Sequence, residues 1–297
     1  MLDSSNRLSH PRGRSTIQLM IDLRLDYAAV STGLVLLGFF WNNLAGFTWQ
    51  YVALIVGIFF ANVFIFVVND FYDASYDFKD PVKRARNLFC SSDTKQLGKV
   101  VLYTSLGMSL FFGGIVSLQV LLIIVLFNFL AFSYSAPPIK LRNRPYWDWI
   151  FVFLWKGLII SAGYVYFFGI NLFAGNFFIY GILTIILLHS LISQLDNQLR
   201  DFEVDKANNT GHSAQRLGYR ASSFLKLIML IIFFGFSFIF CYLLDLYITM
   251  TLILLNISFF YFVNPKKYSH VFDLAVIWIA ALFYEHFMAL FSYRQQL

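Results

Sequence analysis

Charged residues are scarce in this chain. Asp, Glu, Lys and Arg make up 13% of its 297 residues, where a soluble domain carries about 25%. That deficit excludes an ordinary soluble globular domain. Cysteine is scarcer still, with Cys90 and Cys241 alone, so no disulfide framework is indicated. The stretch from Met1 to Arg14 is polar and basic and lacks an apolar core, so it is not expected to act as a cleavable signal peptide. No repeat of fixed short period is visible.

Apolar residues dominate instead. They reach 59%, aromatics 20%, and Phe alone contributes 36 residues; mean hydropathy is +0.68. About 20 apolar residues cross a bilayer. Nine candidate spans result: 24–42, 49–71, 99–117, 119–136, 148–169, 175–196, 222–243, 246–263 and 271–291. Spans three and four form a tight hairpin. Residues 1–20 read as a mobile cytoplasmic tail and residues 21–297 as a single transmembrane domain. The Phe-rich spans either line a tunnel or face lipid, so Phe content does not report a ligand's length.

The net charge of +6 does not point to nucleic acid, because the bases cluster in alternate loops. Bases fill the tail and the loops after spans two, four, six and eight, while the intervening loops hold none. The positive-inside rule then places the N-terminus in the cytoplasm, with the cell (plasma) membrane as the expected location.

Asn69, Asp73 and Asp77 lie four residues apart at the end of span two. On a helix they form one near-axial stripe. Stacked carboxylates repel one another unless a cation shares them. Asp201 and Asp205 form a second stripe at the end of span six, also on the cytoplasmic side. A lone Asp there would merely sit in the wet headgroup zone. Two aligned sets, each followed by basic residues, suit Mg²⁺, a hard cation that completes its shell with water and phosphate oxygens. Arg and Lys nearby suit a diphosphate. Together they suggest departure of a lipid diphosphate at a membrane surface.

The residues also resemble a known superfamily. Asn69-Asp70-x-x-Asp73-x-x-x-Asp77 is similar to the first motif of the UbiA-type intramembrane prenyltransferases, and Asp201-Phe202-Glu203-Val204-Asp205 to the second. Tyr134-Ser135-Ala136-Pro137-Pro138-Ile139-Lys140-Leu141-Arg142 resembles a loop of many members, and Arg144-Pro145 followed by Asp148 continues it. The resemblance spans about residues 20–290. It implies an all-α bundle of nine transmembrane helices around a central cavity open to the cytoplasmic side. It implies Mg²⁺-dependent transfer of an isoprenyl group from an isoprenyl diphosphate to a hydrophobic acceptor. Asn69, Asp73, Asp77, Asp201 and Asp205 would hold the metal. Asp73, Asp201 and Lys140 would be catalytic. Arg84, Arg86, Lys140, Arg142 and Lys156 would meet the diphosphate, although the positive-inside signal alone also explains loop bases. Asp70, about 100° off the stripe, stands in reserve.

The chain departs from the family pattern at Asn87, where Pro is usual, at Asn209, where Gly is usual, and at His212, where Thr is usual. His212 is either a substrate-specific base or an interfacial residue. Lys156 either contacts diphosphate or acceptor, snorkels to the interface, or pairs with Asp148 two turns earlier. Tyr72, Tyr76 and Tyr134 either shield a cation or belong to the aromatic belt. Asn62 and Asn128 are expected to hydrogen-bond between helices, and Glu285 and His286 to lie at the far interface. Two other readings stay open: phosphoribosyl transfer onto a polyprenyl phosphate within the same superfamily, and a cation-coupled transporter. The transporter predicts midplane carboxylates and broken helices, unlike the stripe helices here.

Overall fold

The computed structural model describes residues 15–35, 48–168, 177–207 and 211–244, with residues 247 and 251. The expected eighth and ninth spans, Asn209, Glu285, His286 and residues 1–14 lie outside the described residues, apart from residues 247 and 251 of the eighth span.

Among the described residues the regular structure is helical. The helices are α1 Thr16–Asp22, α2 Leu25–Thr32, α3 Trp49–Asp77, α4 Pro81–Arg86, α5 Ser92–Val116 and α6 Leu118–Ser135, followed by α7 Trp147–Phe168, α8 Phe177–Arg200, α9 Phe202–Ala207, α10 Ser213–Leu217 and α11 Tyr219–Leu243. Five of them (α3, α5, α6, most of α7 and α11) are long and apolar enough to cross a membrane. Residues 16–20, expected in the tail, begin α1, where Ser15 Oγ accepts from the Gln18 N–H. Of the expected first span, the described part is one short helix, α2, followed by a 3₁₀ turn at Gly33–Val35, and residues 36–42 lie outside the described residues.

The long helix α3 is the centre of the bundle. It packs against α2, α5, α6 and α7; α7 in turn packs on α8, and α8 on α11. Small residues let the helices approach, as membrane packing favours. The buried face of α5 carries Gly98, Ser105, Ser109 and Gly113. A Cβ at Gly57 of α3 would sit 3.2 Å from Phe112 Cβ. Ser117 alone joins α5 to α6 and caps the latter through the Val120 N–H. Both intramembrane asparagines bridge helices as expected. Asn62 donates to Thr32 Oγ1 at 3.2 Å and accepts from the Trp155 indole at 3.0 Å, and Asn128 donates to Ser109 Oγ at 2.9 Å.

Candidate active site

A cavity of about 690 Å³ opens among α2, α3, α7 and α8. That volume suits a small ligand. Asn69, Asp73 and Asp77 of α3 line it, and so do Asp201 and Asp205 across from them. The fourfold spacing puts the α3 side chains on one face, and the ends of α3 and α8 bring the two stripes to one space.

Arg142 and Lys83 tie the halves together. Arg142 reaches back from the 137–142 loop, pairs with Asp73, and lies 3.4 Å from Asn69 Oδ1. Burial works against the Arg142 charge, but the Asp73 carboxylate outweighs it and raises the pKa above the usual arginine value. Asn69 Oδ1 also accepts from Ser135 Oγ at 3.1 Å. From α4, Lys83 Nζ lies 3.8 Å from Asp201 Oδ2. The pair is exposed and adds little stability; its value is positional. Asp80 caps α4, accepting from the Val82 and Lys83 N–H groups, which hold its carboxyl below the usual range.

The orientation of α4 sorts its bases. Lys83 and Arg86, three residues apart and so on one face, line the cavity. Arg84 turns away and lies 5.4 Å from the Phe78 ring centre. Burial, then the neighbouring Arg24, lowers the Arg86 pKa. Lys140 is not among the cavity-lining residues. Its backbone is left-handed at φ 40°, and its ammonium lies 4.8 Å from the Tyr76 ring centre. Asp70 faces away from the stripe and pairs with Arg24 at 2.7 Å. Tyr134 lines the cavity, stacked on Phe151, while Tyr72 packs on Phe132.

The departures from the family pattern become contacts. Asn87 donates to Asp77 Oδ2 and to the Asp70 carbonyl, each at 2.8 Å. His212 caps α10 by accepting the Gln215 N–H on Nδ1, 3.4 Å away, and its Nε2 lies 3.0 Å from Asp205 Oδ2. With Nδ1 as acceptor, Nε2 carries the proton and donates. Asp148 is fully buried. It accepts from the Ser213 N–H, the Ser213 hydroxyl and the Gln198 amide, which pins the start of α7 to α8 and α10. Lys156 instead donates to Ser31 Oγ at 2.8 Å.

A polar stripe on α8 extends the site beyond the two acidic motifs. His189, Ser190, Ser193 and Gln194 line the cavity, one face that runs on through Asn197 towards Asp201 just past the helix end. Their spacing follows a helical period within an apolar span, a signal that could have found them.

These residues fit a hard divalent cation. Among the described residues no three of His, Cys, Asp and Glu converge as a ready metal cage. The cavity nonetheless offers carboxylate and amide oxygens from both stripes, and Asp73 Oδ1 is buried with no hydrogen-bond partner. A buried carboxylate oxygen left so is costly. Such a set suits Mg²⁺, which takes one or two carboxylates and keeps the rest of its shell as water and phosphate.

Comparison with known proteins bears on the fold and the family. The model of the UbiA prenyltransferase family matches residues 31–279. A UbiA homolog from Archaeoglobus fulgidus bound to GPP and Mg²⁺ superposes with a TM-score of 0.69 at 16% identity, covering 93% of this chain and 99% of that one. The apo UbiA homolog from Aeropyrum pernix K1 gives 0.70 at 14% identity, covering 88% and 98%. A digeranylgeranylglyceryl phosphate synthase gives 0.56 at 17%, covering 91% and 96%. At such identities the likeness shows the fold. No curated protein sequence matches this chain.

Proposed function

Because the chain belongs to the UbiA prenyltransferase family, we propose that it transfers an isoprenyl group from an isoprenyl diphosphate to a hydrophobic acceptor in a Mg²⁺-dependent reaction. The observation that carries this reading is the meeting of both carboxylate stripes in one cavity, with the bases Lys83, Arg86 and Arg142 beside them. Structural neighbours bound to GPP or DMAPP together with Mg²⁺ support the donor class.

In this reading Asn69, Asp73, Asp77, Asp201 and Asp205 hold the metal, with Asp73 and Asp201 as the principal ligands of each half. Bound there, Mg²⁺ neutralises charge on the departing diphosphate. Arg142, Arg86 and Lys83 orient the diphosphate oxygens. Arg84 and Lys140 belong to the surrounding positive surface. The allylic C–O bond breaks and its electron pair leaves with diphosphate. The acceptor then bonds to the freed carbon and sheds a proton. Tyr134 presents an aromatic wall to the developing cation. The site opens to the cytoplasmic face of the cell membrane, and the full chain crosses the bilayer nine times.

The test incubates membranes containing the protein with labelled isoprenyl diphosphate or, separately, labelled phosphoribosyl diphosphate. Label is expected in extracted lipid from the first and not after metal chelation. Label from the sugar diphosphate alone would make this a phosphoribosyltransferase.

A further inference from the structure

Lys156 stands apart from the other bases of the cavity. Its Nζ donates to Ser31 Oγ at 2.8 Å and lies 4.0 Å from the centre of the Trp155 ring. Three helices measure how far it lies from the acidic end. Ser31 is seven residues beyond Arg24, whose guanidinium meets Asp70; at the helical rise that is ~10 Å. On α3, Asn62 bonds both Thr32 and the Trp155 indole and lies eight residues from Asp70, or ~12 Å. On α8, Ser193 lies eight residues from Asp201, again ~12 Å.

The wall here is mixed: apolar side chains such as Ile65, Val152 and Ile186 line it, with a few polar groups set among them. Ser193 lines the cavity, and its hydroxyl is buried just behind the surface with no hydrogen-bond partner. Ser190 and His189 lie one turn further along the same helix face and also line the space. The four carboxylates of the lining, Asp73, Asp77, Asp201 and Asp205, are all at the other end. A lysine at membrane depth is costly, and this one is set in a cavity wall, within reach of an incoming molecule.

We propose that Lys156, with Ser31 and Ser193, forms an acceptor subsite that takes an anionic oxygen group, a carboxylate or a phosphate. The proposal rests on the prenyl-transfer reading above. The acceptor's nucleophilic atom meets the donor carbon beside Asp73 and Asp201 while its anion meets Lys156. The separation selects a compact acceptor roughly 10 Å long and disfavours an uncharged quinol or hydrocarbon end.

The test uses purified full-length protein in detergent with Mg²⁺ and inorganic diphosphate. Equilibrium dialysis compares 1-hydroxy-2-naphthoate, its methyl ester and a short-chain alkylglyceryl phosphate. At least one anionic probe should bind about tenfold or more tightly than the ester, and the two anions separate carboxylate from phosphate. Lys156→Met should abolish the preference, and Lys156→Arg should keep most of it. Inorganic diphosphate should bind both variants as it binds the unmodified protein. Ser193→Ala, a smaller change, should reduce the preference a few-fold and supplies the answer if Lys156→Met does not fold. The proposal is overturned if the ester binds the unmodified protein as tightly as both anions. It is equally overturned if Lys156→Met weakens diphosphate binding and leaves the preference intact, which would put Lys156 on the donor. Absence of Mg²⁺-dependent diphosphate binding in the unmodified protein would sink the prenyl-transfer reading instead, and the probe comparison can then be read without diphosphate.

Discussion

The side-chain amide of Asn87 donates to Asp77 Oδ2 at 2.8 Å. Asn87 is buried, and the same nitrogen also reaches the Asp70 carbonyl. One residue beyond α4 thus fixes both the last carboxylate of the first stripe and the helix that carries it. Asn87→Leu should raise the Mg²⁺ concentration for half-maximal activity several-fold. It should also destabilise the protein by about 1–3 kcal/mol, because a buried carbonyl loses its donor. A Mg²⁺ titration and a thermal melt check this; an unchanged titration would show that Asp77 needs no such anchor.

Arg142 and Asp73 should behave as a unit. On the proposed reading Asp73→Ala takes away a metal ligand, and it leaves the partly buried Arg142 guanidinium without its carboxylate, so activity should fall at least 100-fold, in the range of lost electrostatic groups at active sites. Arg142→Met should raise the KM for isoprenyl diphosphate more than it lowers kcat. Steady-state kinetics on both variants measures this, and an Asp73→Ala protein with full activity would remove the two-stripe site from consideration.

Neighbours on α4 should differ sharply. Lys83 faces Asp201 across the cavity, whereas Arg84 lies against Phe78. Lys83→Ala should raise the donor KM about tenfold, the loss of one charge-assisted contact. Arg84→Ala should change it less than twofold. Equal effects would mean that general positive charge, not the α4 face, governs donor binding.

Cys90 should react slowly with alkylating reagents near neutral pH. Burial, then the carboxylates of Asp77 and Asp70, raises its pKa; a raised thiol pKa leaves less thiolate at a given pH. The alkylation rate should therefore rise only at pH values above the ordinary thiol midpoint of about 8.5. A Cys241→Ser background isolates the signal. A midpoint at or below the ordinary value would contradict the placement of Cys90 beside the Asp70 and Asp77 carboxylates.

Two glycines of α7 supply a matched stability test. A Cβ at Gly163 would run into the carbonyl of Val35, a backbone atom that cannot swing aside, while nothing lies within 4 Å of one at Gly157. Gly163→Ala should destabilise by about 1–3 kcal/mol. Gly157→Ala should be neutral or stabilising by up to about 1 kcal/mol, since alanine favours the helix. Thermal melts in detergent compare them directly.

The sequence by itself determined the helical membrane class, the two stripes, the turning away of Asp70 and the bridging roles of Asn62 and Asn128. Each depends on local information: apolar run length, or a period of 3.6 residues on one helix. It could not sort the loop bases, because the positive-inside rule places Lys83, Arg84, Arg86 and Lys140 on the same side whatever they touch. Only packing decided that the α4 face turns Lys83 and Arg86 inward and that a left-handed Lys140 lies over Tyr76. The same holds for Asp148, whose partners at Gln198 and Ser213 are at least 50 positions away along the chain. The contact of Lys156 with Ser31 is likewise tertiary. A helix shows how far apart its own residues lie, but which wall of the cavity they meet is set by the helices packed against it.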